Sequence, residues 1–158
     1  MSNREKSPFA AKSYAGLAED SGFLMLQVSS LWAIYHDKAL KKYYDLTHMQ
    51  YAVLASVYWL TLHSGKEVTQ IILAQHTKIN TMTISHMLKV LETRGYVFRT
   101  THSTDVRANA INLTEEGKTL LDKAIKTILD VDAKFFRVLG KNIKHFNRYM
   151  FELLNDNE

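Results

Sequence analysis

From residue 20 onward, apolar side chains recur every three or four positions in long stretches separated by short polar interruptions. Leu24, Val28, Leu31 and Tyr35 fall at four-three-four spacing, and Phe23, Leu26 and Ile34 widen the stripe, which predicts an amphipathic helix from about Asp20 to Tyr44. Asp45-Leu46 interrupts it. Thr47-His48-Met49-Gln50 has the form of a capping box, in which the threonine hydroxyl and the glutamine amide oxygen each accept a free backbone N–H. A second helix is expected from there through YAVLASVYWLTLH, stopping near Ser64-Gly65.

Thr69 can cap a short helix, TQIILAQHT, with Ile72, Leu73 and His76 on its inward face. Lys78-Ile79 form a turn, and Asn80 caps a helix from Thr81 to about Thr93. Ile84, Met87, Leu88 and Leu91 take its inward stripe, which leaves Thr81, Met82, Thr83, Ser85, His86 and Lys89 outward. Gly95 suits a left-handed helix stop. YVFRT and AINL read as short strands on either side of the polar THSTDVRAN. Thr114 caps a long helix, TEEGKTLLDKAIKTILDVDAKFFRVL, with Glu115 and Glu116 in the first turn, where the helix dipole favours acids. Gly140 breaks it, and KNIKHFNRYMFELLN forms the last helix.

Two short helices around a tight turn, then a hairpin with an arginine near its tip, make a winged helix-turn-helix over residues 46–117. The second helix suits a DNA major groove, and the hairpin suits the adjacent backbone or minor groove. The expected fold is mainly α with a small β-wing. Residues 1–19, small and polar, read as a loose arm. Residues 20–45 read as a dimerisation helix and 118–158 as C-terminal dimerisation helices, because their broad apolar stripes need a partner and a second copy supplies one.

Four fragments in this order resemble the MarR-type regulators, the winged-helix repressors named for multiple antibiotic resistance. Leu46-Thr47-His48-Met49-Gln50-Tyr51-Ala52-Val53-Leu54 is similar to the L-T-x-x-Q-Y-x-V-L that opens that family's second helix. Leu91-Glu92-Thr93-Arg94-Gly95-Tyr96-Val97 is similar to its L-E-x-x-G link into the wing, Asp105-Val106-Arg107 to its D-x-R wing signature, and Leu113-Thr114-Glu115-Glu116-Gly117 to its closing L-T-x-x-G. The resemblance covers roughly residues 20 to 154. It implies a homodimer on a pseudo-palindromic operator, released by a small phenolic or lipophilic effector. Thr100 to Thr104 carry no lysine or arginine, a departure from the family's often more basic wings. The absence of cysteine excludes its thiol-based peroxide-sensing branch. No His-x-x-x-His pair supports its zinc-sensing branch.

A chain of 158 residues fits one domain or one protomer, and its net charge of +4 is compatible with nucleic acid without pointing to it. Placement of charge adds more. Between Thr69 and Ala110, Lys78, Lys89, Arg94, Arg99 and Arg107 stand against Glu92 and Asp105. Lys134, Arg137, Lys141, Lys144 and Arg148 read as a solvated helix face. The N-terminus lacks the apolar segment of a signal peptide and no run is long enough to span a bilayer, so the expectation is a cytoplasmic protein with no membrane partner.

The candidate DNA contacts are Asn80, Thr81, Met82, Thr83, Ser85, His86 and Lys89 on the second helix of the motif, and Arg99, Asp105 and Arg107 on the wing. Hydroxyls and imidazole reach base edges or phosphates, and Met82 either packs on a thymine methyl or pads the turn. Lys89 and Arg99 suit phosphate, and Arg107 suits the negative potential of a minor groove. Asp105 projects on the same side of an extended chain as Arg107 and would pin it or tie down the wing. The competing reading of each is a solvated surface. For an effector crevice between the dimer helices and the winged helix, which the resemblance implies, the candidates are Trp32, Tyr35, His36, Tyr51 and Tyr58. Core packing competes there. Seven histidines are dispersed without ligand spacing, and no nucleophile elbow, phosphate loop or carboxylate pair occurs. No catalytic residue, metal or cofactor is expected. The alternative to a DNA-binding regulator is a winged-helix protein-interaction module.

Overall fold

Helix caps made by local side chains divide the chain into its elements. The computed structural model describes residues 20–104 and 107–157, so the arm expected at 1–19 and the candidate Asp105 lie outside the described residues. Helix α1 spans Ser21–Tyr44, and Asp20 opens it by accepting the Phe23 N–H at 2.9 Å. The chain divides into two compact units at residues 35 and 36. In the first, none of residues 21–35 is buried, and Leu24, Val28, Leu31, Ile34 and Tyr35 present their apolar side chains outward.

The second unit begins with the last turns of α1. Helix α2, His48–His63, starts with the capping box: Thr47 Oγ1 accepts the Gln50 N–H at 3.2 Å, and Gln50 Oε1 accepts the Thr47 N–H at 3.0 Å. Helices α3 (Gln70–Thr77) and α4 (Thr81–Thr93) follow, capped by Thr69 and Asn80. Strands β1 (Val97–Thr101) and β2 (Asn109–Leu113) pair antiparallel, with Val97 opposite Leu113 and Arg99 opposite Ile111. Ile111 N–H also donates to the Val68 carbonyl at 2.8 Å, which attaches the approach to α3 to the wing. Thr114 caps α5, Glu115–Phe135. A 3-10 segment, Phe136–Asn142, leads to α6, Ile143–Asn155.

The end of α1, helices α2 to α5 and the two strands each turn apolar side chains into the core. Leu40, Leu46, Val53, Leu54 and Val57 meet Leu73, Ile84, Leu88, Leu91, Val97, Ile111, Leu121 and Ala124, all at most 2% exposed. At the end of α4 the Tyr96 N–H bonds the Leu91 carbonyl and the Gly95 N–H the Glu92 carbonyl, with Gly95 at φ 74°. That left-handed glycine turns the chain into the wing.

Two expectations need correction. His76 is exposed and not part of the inward face of α3, which Leu73 fills with Ile72 half-buried. The imidazole lies flat against Trp59 at 5.1 Å between ring centres, and His63 stacks on the same indole at 4.8 Å. The helix after the wing also leaves α geometry at Phe135, before the break at Gly140 (φ 48°, ψ −126°). The tighter 3-10 winding satisfies carbonyls near a helix stop.

Candidate nucleic-acid interface

The turn between α3 and α4 is set by three local hydrogen bonds. Lys78 ends α3 in the left-handed region at φ 58°, and the Ile79 N–H bonds Thr77 Oγ1 at 3.3 Å. Asn80 Oδ1 then accepts the Thr83 N–H at 2.8 Å. Gln70 Nε2 donates to the Thr81 carbonyl at 3.0 Å, so the first turns of the two helices are tied side by side. Asn80 is exposed, and its side-chain oxygen is engaged in the cap.

Along α4, Thr81, Met82, His86 and Lys89 are exposed, Met82 at 82%. Thr83 and Ser85 sit deeper. They flank the fully buried Ile84 at about 100° per residue, so each is half-buried at the edge of the packed face. The outward strip is therefore narrower than the sequence suggests, running through Met82, His86 and Lys89.

The wing places its two arginines differently. Arg99 lies within β1, half-buried, with Nε 3.4 Å from Glu92 Oε2 on α4. Arg107 is exposed just before β2. Both line one groove of about 370 Å³ with Thr69, Gln70, Ile71 and Asn109. Two arginines thus share a groove with the first turn of α3, where backbone N–H groups and the helix dipole add positive potential.

Sequence reasoning missed Glu67. Its Oε2 accepts the Ser103 N–H at 2.9 Å and also the Ser103 hydroxyl, and His102 Nδ1 lies 3.6 Å away. The Ser103 hydrogen bonds hold this carboxyl below its ordinary range. One carboxylate thereby clamps the end of the hairpin that carries no lysine or arginine.

Of the five candidate effector residues, His36, Tyr51 and Tyr58 lie in the second unit. His36 is buried, its Nε2 2.8 Å from Asp132 Oδ1 on α5, and it meets the Tyr51 ring edge-on at 6.5 Å. Burial first, then the Asp132 charge, raises the Tyr51 hydroxyl above its ordinary pKa. Tyr58 lines a separate groove with Lys118, Asp122 and Ile125 of α5. Trp32, half-buried, and Tyr35, exposed, belong to the first unit. Among the described residues, no group of three or more histidines and carboxylates is placed to hold a metal ion. No described helix is long and apolar enough to cross a membrane.

The family described as ArnR1-like, winged-helix domain matches residues 42–132. The HTH-type transcriptional regulator YdcH of Bacillus subtilis is 32% identical over 89% of this chain and 94% of its own length. CouR from Rhodococcus jostii RHA1, solved bound to p-coumaroyl-CoA, shares 25% identity at a TM-score of 0.72, covering 87% of this chain and 93% of its own. A mutant of MarR from E. coli, solved in complex with operator DNA, shares the fold at a TM-score of 0.72 and 19% identity, covering 84% of this chain and 91% of its own.

Proposed function

The chain belongs to the MarR-type winged-helix transcriptional regulators, and on that premise we propose that it represses transcription by occupying a pseudo-palindromic DNA operator as a homodimer. The observation that carries this reading is the shared groove of Arg99 and Arg107 against the start of α3, beside the exposed strip of α4. In it, Met82 and His86 meet base edges in the major groove, with Thr81, Thr83 and Ser85 at its margins. Lys89 and Arg99 neutralise phosphates, Glu92 sharing the Arg99 charge until DNA arrives. Arg107 enters the minor groove.

The exposed apolar residues of α1 and, separately, Met150, Phe151, Leu153 and Leu154 of α6 are faces for a second copy. Sedimentation is expected to give twice the chain mass of 18.2 kDa at micromolar concentration. A folded monomer there removes the homodimer. An aromatic or lipophilic acid, by analogy with the p-coumaroyl-CoA of CouR, would release the DNA from a site near His36 and Tyr51. It does so only by its greater affinity for the arrangement that cannot span both half-sites.

Selection of genomic fragments by the purified protein, followed by a salt titration on the best duplex, tests the DNA reading. Affinity should fall by about one unit of log–log slope per phosphate neutralised. If no fragment binds better than random sequence at low salt, the regulator reading is lost and the protein-interaction module takes its place.

A further inference from the structure

Arg94 stands at the C-terminal end of α4, with its backbone N–H still bonded to the Val90 carbonyl, yet its side chain belongs to the end of another helix. Nη1 donates to the Asp45 carbonyl at 2.6 Å, 49 residues earlier in the chain. Nη2 lies 3.5 Å from the Tyr44 carbonyl and 3.4 Å from Asp45 Oδ2. Tyr44 is the last residue of α1, and Asp45 leaves it in the left-handed region at φ 52°. The final carbonyls of a helix have no partners within it and form the negative end of its dipole, so a cation there is favourable.

The geometry favours a guanidinium over an ammonium. A planar fork can serve two carbonyl oxygens at once and still lie on an aromatic ring, and here the Tyr96 ring centre is 5.2 Å from the Arg94 guanidinium carbon. The Asp45 carboxylate is 92% exposed, so the ion pair contributes little and the carbonyl bonds carry the link. Tyr44 is held from the other side, its hydroxyl meeting the Lys123 carbonyl at 3.0 Å and Thr127 Oγ1 at 2.7 Å on α5. The end of α1 is thus fixed to α5 by a tyrosine and to α4 by an arginine.

We propose that Arg94 is a positioning residue that couples α1 to α4 and so sets the separation of the two α4 helices in the DNA-bound dimer. This inference rests on the dimeric operator reading above. Without the fork, α4 keeps its own surface but loses its register with α1. What suffers is discrimination among half-site spacings, more than contact with a half-site.

The test uses the full chain and a duplex series built on the selected operator, with the half-site spacing lengthened or shortened by one and two base pairs. Wild type, Arg94→Lys and Arg94→Gln are titrated at one salt concentration. Wild type should show a sharp optimum. Both variants should flatten it, the ratio of best to off-spacing affinity falling about fivefold or more, the low end of measured coupling between sites. A role in stability alone predicts a uniform loss at every spacing. That result, in variants with a cooperative thermal transition, overturns the inference and leaves the regulator reading standing. Should Arg94→Gln not fold, Arg94→Lys, which keeps the charge at the helix end, decides between the same two outcomes. A wild type that binds every spacing equally overturns this inference alone, and one that binds no duplex better than random sequence takes down the regulator reading with it.

Discussion

Gly117 in the first turn of α5 lies so close to Tyr96 that a Cβ built on it would stand 2.1 Å from the Tyr96 carbonyl oxygen. That oxygen also accepts the Thr114 N–H at 3.1 Å. Thr114 Oγ1 donates to the Gly95 carbonyl at 2.6 Å and accepts the Gly117 N–H at 3.0 Å. The residues around β1 and the start of α5 interlock here, with room for a hydrogen and not for a methyl. Gly117→Ala is expected to destabilise the fold by about 1–3 kcal/mol, the usual cost of overpacking. Urea titration measures it, and an unchanged midpoint would mean that the backbone yields without penalty.

Along α4, surface and scaffold should separate cleanly. Leu88→Ala removes a fully buried side chain and should cost about 2–5 kcal/mol of stability through the cavity left behind. His86→Ala should leave stability alone and change which operator is preferred, by about 1–3 kcal/mol for a lost base contact. If His86→Ala alters neither affinity nor preference across a panel of operator variants, the exposed strip of α4 is not the reading face.

Arg107 is exposed at the wing, so Arg107→Ala should leave the thermal transition in place. Operator affinity should fall by about 1–3 kcal/mol at moderate salt. Equal affinities for wild type and variant would show that the wing stays clear of the DNA.

Glu67 makes the wing sensitive to acid. Its pKa is depressed in the folded chain, so the clamp is complete above the ordinary glutamate pKa and is lost as pH falls through the depressed value. The Ser103 amide shift, followed by NMR, should titrate with a midpoint below that of an unperturbed glutamate, and the titration should vanish in Glu67→Gln. A midpoint at or above the unperturbed value would remove the clamp.

The caps at Thr47, Asn80 and Thr114 are legible in the sequence because donor and acceptor lie three residues apart. So is the inward stripe of α4, whose 13 residues carry enough turns to fix its phase. The phase of α3 is harder to read, because eight residues allow more than one inward face, and His76 falls on the wrong one. Thr83 and Ser85 expose the limit of a two-valued pattern, since positions flanking a buried residue are neither in nor out. Glu67 with Ser103, Arg94 with Asp45 and His36 with Asp132 join residues 36, 49 and 96 positions apart. Such pairs leave no periodicity, and only the packed chain brings them together.

The indole of Trp59, flanked in the fold by the rings of His63 and His76, gives the protein an optical label of its own. The sequence holds two tryptophans, and Trp59 is the one at the joint of α2 and α3. The emission of an indole depends on what lies against its faces, so quenching of Trp59 by these two rings depends on their contact with it. Any event that shifts α3 against α2 would change that quenching. Movement of the helix-turn-helix can then be followed in solution as a change in light, with no dye attached.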